Sequence, residues 1–126
     1  MKFIVIAGLL LLTVRPAAAE TAEEMLAGCR AVANAEISNG SVAVPSTPSA
    51  QQCWGALGII RNAIYYLQDD GKTPAFHVCA PTDVTRPQLA AIFVDYLSRN
   101  PVDRNKEFLL VVLNSLLKVY VCNGKR

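Results

Sequence analysis

Apolar residues recur at helical spacing in four segments of the chain, and polar residues, glycine and proline separate these segments. The first predicted helix begins at Thr21, because Glu24 follows three residues later, which is the spacing of a capping box. Ser38-Asn39-Gly40 is predicted to end it, since glycine accepts the left-handed backbone of many helix ends. The apolar face of this helix comprises Met25, Leu26, Cys29, Val32, Ala33 and Ile37.

A second helix is predicted after a loop that covers residues 38–49 and contains two prolines. Ser49 and Gln52 repeat the capping spacing, and Asp69-Asp70-Gly71 is predicted to close the helix. Its apolar face comprises Cys53, Trp54, Leu57, Ile60, Ile64 and Leu67.

The third and fourth helices follow each other almost directly. Thr85 and Gln88 form a third capping-box pair, and Pro87 fits the first turn, where no backbone N–H is needed. Asn100-Pro101 is predicted to end helix three and open helix four, with Pro101 at the first helical position. The apolar face of helix three comprises Leu89, Ile92, Phe93, Tyr96 and Leu97.

Helix four carries more apolar surface than the others. Its apolar residues cover an arc of roughly 200°, against about 100° for an ordinary surface helix. Either it is the central helix of a bundle, which we favour, or its spare face packs on a second subunit. In the second case Leu110 and Val111 are candidates for the contact in a homodimer.

The N-terminus predicts a secretory signal peptide over residues 1–19. Lys2 precedes an apolar run of 10 residues, and small residues ending in Ala17-Ala18-Ala19 follow. The run is too short for a comfortable membrane span. We therefore expect a periplasmic mature domain over residues 20–126, without a membrane span.

The charge balance argues against a nucleic-acid or anionic-membrane partner. The chain has 12 basic and 10 acidic residues, for a formal charge of +2. Loss of Lys2 and Arg15 with the signal peptide would bring this charge to zero.

The four cysteines predict two disulfides, because their number is even, the chain is small and exported, and no C-x-x-C occurs. Four cysteines allow three connectivities. Consecutive helices joined by a short turn form an antiparallel hairpin, which brings Cys79, just before helix three, beside Cys122 at the end of helix four. The same reasoning pairs Cys29 with Cys53. The fold class predicted is all-α, a small four-helix bundle of two antiparallel hairpins stapled by two disulfides.

Three stretches resemble the Rap/Tai family of type VI secretion immunity proteins. They are Cys53-Trp54-Gly55-Ala56-Leu57-Gly58, the run from Val78-Cys79-Ala80-Pro81 through Thr85 and Gln88 to Asn100-Pro101, and Tyr120-Val121-Cys122. The resemblance implies a small helical periplasmic protein that binds a peptidoglycan amidase toxin and blocks its active site. The alternative is a periplasmic housekeeping or stress protein on the same scaffold, with an unrelated partner.

Enzymatic signatures are weak in this chain. His77 is the only histidine, and with all cysteines paired it has no thiol to activate. We expect a non-catalytic protein that needs no metal or other cofactor. The aromatic residues Trp54, Tyr65 and Tyr66 could contact a partner, although Trp54 fits the core better.

The partner-binding prediction falls on residues 68–78. Asp69, Asp70, Lys72 and His77 combine both charge signs with an imidazole, and Cys79 anchors the end of the segment. Residues 38–49 are the second candidate, with almost no charge. The alternative is that both segments are solvated connectors without a binding role.

Overall fold

The computed structural model describes residues 19–69 and 73–123 and contains four α-helices within them. They are α1 (Ala22–Ala33), α2 (Pro48–Tyr66), α3 (Arg86–Arg99) and α4 (Phe108–Val119). This result confirms a mostly helical domain with four helices. The predicted signal peptide, apart from Ala19, lies outside the described residues.

Two short β-hairpins correct the all-α prediction. The antiparallel strands β1 (Glu36–Ser38) and β2 (Ser41–Ala43) form the first hairpin between α1 and α2. The strands β3 (Gln68–Asp69) and β4 (Thr73–Pro74) form the second, directly after α2.

The end of α1 was predicted wrongly, and the reason lies in Asn39-Gly40. Both residues have positive φ, 50° and 76°, and they connect two paired strands. Asn-Gly is the preferred pair for a two-residue hairpin turn as well as a frequent signal after a helix. The helix already ends at Ala33, and Ile37, predicted on its apolar face, lies on β1 with 56% of its surface exposed.

The start of α2 lies slightly earlier than predicted. Thr47, and not Ser49, caps the helix by accepting a hydrogen bond from the backbone N–H of Ala50. Pro48 takes the first helical position, where its ring is already suited to helical φ. The helix ends at Tyr66, so Leu67 and Asp69 follow it in extended backbone.

The helix start at Thr85 is confirmed, whereas the start of α4 at Pro101 is wrong. Thr85 and Gln88 form the complete capping box of α3. Residues Pro101–Asp103 form a 3₁₀ turn, and α4 begins only at Phe108. The intervening turn is built around Asp103, whose buried carboxylate accepts a hydrogen bond from the Tyr96 hydroxyl at 2.6 Å.

Helices α1 and α3 each contact the other three helices, with the more extensive contacts at α1, whereas α4 packs mainly on α1 and α3, so the interpretation that α4 is central is wrong. Gly28 allows α1 to approach the start of α2 closely, because a Cβ at this position would collide with the carbonyl oxygen of Ser49. The core around α1 consists largely of aliphatic residues, with Phe93 and Phe108 packed edge to face at 5.0 Å between ring centroids.

The outer face of α4 stays uncovered. Leu109 and Leu110 are about half exposed, at 50% and 53%. Val111 is fully buried, so its candidacy for a contact with a second subunit is wrong. Of the helices among the described residues, none combines the length and the apolar composition needed to cross a membrane.

Candidate functional site

The two disulfides have the predicted partners but occupy different environments. Cys29–Cys53 joins α1 to the first turns of α2, with both residues fully buried and their Cα atoms 5.3 Å apart. Cys79–Cys122 joins the segment before α3 to the end of the fold, with a Cα separation of 5.0 Å. Here Cys79 is exposed and Cys122 is only half-buried. The second disulfide therefore holds surface structure.

The predicted partner-binding segment forms a hairpin. Gln68 pairs with Pro74 and Asp69 pairs with Thr73 across the strands β3 and β4. Asp70 and Lys72, two of the four predicted contact residues, lie outside the described residues, between the two strands. The backbone of Asp69 is thus placed in β3, and the hairpin returns the chain towards α2.

A strained turn follows the hairpin. Phe76 and His77 both have positive φ, 66° and 53°, a left-handed backbone that is unfavourable for residues other than glycine. Both side chains are exposed, including 44% of the Phe76 side chain. Such strain persists only where the surrounding structure enforces it, and it clusters at functional sites.

The C-terminal segment of the fold provides this enforcement. Cys79 donates its backbone N–H to the carbonyl oxygen of Tyr120 at 2.9 Å, and Val78 pairs with Val121 as an isolated β-bridge. The Sγ atom of Cys122 also lies 3.1 Å from the carbonyl oxygen of His77. The exit from the strained turn is therefore fixed by a disulfide, a hydrogen bond and a strand pairing.

A cavity of about 510 Å³ opens beside this segment. Its floor consists of core residues, and its walls come from the last turns of α2 and from the segment before α3. The lining residues are Arg61, Ile64, Tyr65, Tyr66, Pro74, Val78, Cys79, Ala80, Pro81, Thr82, Val84 and Leu89.

Arg61 holds one wall of the cavity. Its Nε donates to the carbonyl oxygen of Val84 at 2.7 Å, and its Nη2 donates to the carbonyl oxygen of Thr82 at 3.3 Å. The loop that precedes α3 is thereby tied to α2. Both acceptors are neutral carbonyls, so they do not neutralise the positive charge of the guanidinium.

Two aromatic residues, Tyr65 and Tyr66, also line the cavity, and Trp54 lies in a smaller depression that shares Arg61. Tyr65 and Tyr66 pack edge to face with 4.8 Å between ring centroids, and both are at least half exposed. Trp54, expected in the core, is half-buried, and the Arg86 guanidinium lies over its ring at 4.3 Å from the centroid. Exposed aromatic residues beside an arginine match the composition of protein-binding hot spots.

Burial changes the titration of one residue close to the second disulfide. The pKa of Tyr120 is raised above its ordinary value, first by burial and then by the nearby Asp83 carboxylate. The phenol therefore stays neutral at physiological pH, and its ring packs against the core.

The sequence interpretation placed binding in the hairpin and missed the cavity beside it. Tyr65 and Tyr66 gave a usable signal, because neighbouring residues of a helix point about 100° apart and cannot both face the core. The left-handed backbone of Phe76 gave no signal, since a phenylalanine is not expected there. Within the described residues, no cluster of three His, Cys, Asp or Glu side chains could hold a metal ion.

Comparison with known proteins identifies the family but adds no solved relative. Neither the curated proteins nor the solved structures include a significant match to this chain. A family model described as Rap1a immunity proteins matches residues 21–122. This match runs from the N-cap of α1 to the last cysteine and covers both disulfides, so the chain belongs to the family of Rap1a immunity proteins.

Proposed function

We propose that this protein is a type VI secretion immunity protein that neutralises a peptidoglycan amidase toxin in the periplasm. The observation that carries the proposal is the match to the Rap1a immunity family over nearly the whole folded domain. The protein acts by binding and not by catalysis: it occludes the active site of the toxin and excludes the peptidoglycan substrate.

The hairpin of β3 and β4, with the strained turn after it, supports this mechanism. The exit from this turn is fixed by the Cys79–Cys122 disulfide and by the bridge of Val78 to Val121. A segment that is ordered before binding loses less conformational entropy on association, so more of the contact free energy appears as affinity. We propose Asp69, Asp70, Lys72 and His77 as the polar contacts of this surface.

Export to the periplasm is part of the same proposal. Disulfides persist in oxidising compartments, and the chain contains two. An exported immunity protein would meet the toxin where peptidoglycan is accessible. Residues 1–19 supply the signal peptide in this proposal.

An inhibition assay tests the function. The protein is expressed with its N-terminal segment, so that its export can be checked. It is then used as bait to capture periplasmic proteins, including the amidases encoded near its gene. Hydrolysis of purified peptidoglycan by a captured amidase is then measured with and without an equimolar amount of the protein. We expect inhibition at stoichiometric concentration. Capture of an unrelated periplasmic protein with no effect on any amidase would favour the housekeeping alternative.

A combined variant tests the surface. Asp69→Ala, Asp70→Ala, Lys72→Ala and His77→Ser are introduced together, and an unchanged melting temperature confirms the fold. A control variant carries Ser41→Ala and Ser46→Ala, both exposed in residues 38–49, so that it also reports on the second candidate segment. We expect the first variant to lose more than about tenfold in affinity for the captured toxin and the control to lose little. An affinity within about threefold of wild type would move the binding site away from residues 68–78.

We also propose that the uncovered face of α4 packs on a second copy of the chain. Leu109 and Leu110 are adjacent and half exposed, and burying them would remove apolar surface from water. Leu110→Glu should convert a dimer to a monomer in light scattering, whereas Ile59→Glu on the exposed side of α2 should not. A monomeric wild-type mass at high protein concentration would refute this assembly.

A further inference from the structure

The cavity beside α2 combines an apolar floor with one positive charge. Ile64, Val78, Val84 and Leu89 provide the floor, and each of them is at least nine-tenths buried. Arg61 contributes the only formal charge among the described lining residues. The volume of about 510 Å³ falls within the range of about 300–1,000 Å³ that is usual for ligand pockets.

The cavity is formed before any partner arrives. Arg61 ties the wall at residues 82–84 to α2, and the Cys79–Cys122 disulfide ties the wall at residues 78–79 to the end of the fold. Pro74 and Pro81 stiffen the backbone at two further points of the lining. A ligand would therefore enter a fixed shape, without a large ordering cost.

The unused hydrogen-bonding capacity of Arg61 indicates what the ligand carries. A guanidinium has five N–H groups, and two of those of Arg61 donate to backbone carbonyls. None of the described side chains forms an ion pair with Arg61. The smaller adjoining depression, about 200 Å³, is lined by Arg61, Arg86 and Asp83, so cations outnumber carboxylates there as well. An approaching carboxylate would meet a net positive charge next to apolar surface.

We propose that this cavity binds an extended segment of the protein partner in which a large apolar side chain stands next to an aspartate or glutamate. The apolar side chain occupies the floor between Tyr65 and Val78, and the neighbouring carboxylate pairs with Arg61. The inference rests on the proposed function only in taking the partner to be a protein. It adds the chemistry of the segment that the partner contributes.

Three short peptides serve as probes of this site. They are acetyl-Gly-Phe-Asp-Gly-amide, its Asn analogue, which removes only the charge, and a Ser-Asp analogue, which removes only the apolar side chain. Binding to the ¹⁵N-labelled protein is followed by NMR, with the Arg61 Nε–H signal and the backbone signals of residues 78–84 as reporters. We expect the Phe-Asp peptide to bind at millimolar affinity and at least about threefold more tightly than either analogue. Equal affinity for the three peptides, or no shift at 10-fold molar excess over a millimolar protein sample, would overturn the proposal.

Protein variants locate the binding. Thr82→Trp places an indole at the mouth of the cavity while the backbone carbonyl that accepts from Arg61 remains, and it should reduce binding at least fivefold. Ala27→Trp, on the exposed side of α1, is the matched control and should leave binding unchanged. Arg61→Gln should abolish the preference for Asp over Asn, and it should also weaken binding of all three peptides, because it releases the wall at residues 82–84. Unchanged binding by the Thr82→Trp protein would place the peptide elsewhere and refute the inference.

The outcome can be separated from that of the proposed function. Peptide binding uses no toxin, so a protein that binds the Phe-Asp peptide but inhibits no amidase would retain the cavity and lose the amidase proposal. Conversely, the wild type and the Thr82→Trp variant could inhibit an amidase with equal potency. That result would support the proposed function and exclude the cavity from the interface with the toxin.

Discussion

The two connections that carry β-hairpins use the same parts for different purposes. Between α1 and α2, a hairpin is accompanied by the fully buried Cys29–Cys53 disulfide, which lies inside the contact of two helices. Between α2 and α3, a hairpin is accompanied by the partly exposed Cys79–Cys122 disulfide, which lies beside a cavity and a strained turn. The comparison indicates that the first connection stabilises the core, whereas the second holds a surface in position.

Removal of each disulfide should give the largest effects and separate the two purposes. By loop-closure entropy alone, the Cys29–Cys53 bridge is worth about 3.5 kcal/mol and the Cys79–Cys122 bridge about 4 kcal/mol. Replacing Cys29 and Cys53 by Ala also leaves unfilled volume in the core, so we expect that double variant to lose about 4–5 kcal/mol of unfolding free energy. The Cys79→Ala, Cys122→Ala variant should lose about 2–4 kcal/mol.

Urea unfolding measures both losses, and the peptide titration described above provides the second readout. Only the Cys79→Ala, Cys122→Ala variant should also weaken peptide binding, because its cavity wall is released. A larger loss of stability for that variant than for the Cys29→Ala, Cys53→Ala variant would mean that loop entropy outweighs burial in this fold. When the unreduced wild-type protein is treated with an alkylating reagent, mass spectrometry should find no alkylated cysteine, because all four cysteines are paired.

Glycine positions near the first disulfide should give an intermediate effect. Gly28→Ala introduces a Cβ that collides with the Ser49 backbone, and we expect a loss of about 2–3 kcal/mol in unfolding free energy. Gly55→Ala, in the same helix pair, adds a Cβ with nothing within 4 Å and should stabilise the protein by about 0.5–1 kcal/mol. Thermal and urea unfolding of the two variants should therefore move in opposite directions, and a similar change in both would contradict the close approach of α1 and α2.

The turn of the first hairpin offers a smaller test. Gly40 has a φ of 76° with open space around its Cα, so Gly40→Ala meets only backbone strain. We expect a loss of about 1 kcal/mol, since a residue with a Cβ is unfavourable in this conformation. Asn39→Ala should cost less than Gly40→Ala, because Asn39 already carries a Cβ at its φ of 50°. A gain of stability in the Gly40→Ala variant would argue against the left-handed turn.

The third connection, between α3 and α4, has neither a strand nor a disulfide and should show the smallest effect. The pKa of Asp103 is lowered from its ordinary value of 3.8, first by the hydrogen bond from Lys106 and then by that from Tyr96. A lowered pKa in the folded state contributes stability above the unfolded value, and this contribution is lost as the pH falls through the folded pKa. The stability difference between wild type and Asp103→Asn should therefore be present at neutral pH and shrink below pH 3.8.

Urea midpoints measured from pH 7 down to about pH 2 check this prediction across the relevant carboxylate range. Asp95→Asn is the control, because the ion pair of Asp95 with Arg99 is exposed on both sides. A difference for Asp103→Asn that stays constant over the whole range would show that the Asp103 carboxyl has the same pKa in the folded and the unfolded protein.

The features that the sequence predicted correctly depend on local pairs of residues. The capping boxes at Thr21 and Thr85 need only a partner three residues away, and the disulfide pairs follow from helices that are consecutive in the chain. Asn39-Gly40 satisfies two local rules at once, so its assignment depended on the strands around it.

The features that the sequence did not reveal depend on contacts between distant elements. Helix α4 is the most apolar helix, but α1 has the most extensive contacts with the other helices, and Gly28 lets it approach the start of α2 closely. A count of apolar residues does not measure how closely two helices can approach. The sequence did not predict the cavity either, because its walls come from two separate parts of the chain, α2 and a loop about twenty residues later.

The order in which the paired cysteines follow one another along the chain has a consequence for how the disulfides form. The pairing joins the first cysteine to the second and the third to the fourth, so neither link encloses or crosses the other. In a chain that enters an oxidising compartment from its N-terminus, Cys29 and Cys53 emerge together and can be oxidised before Cys79 appears, which leaves the last two cysteines only each other as partners. An isomerase that reshuffles mispaired cysteines should therefore be dispensable for the yield of this protein.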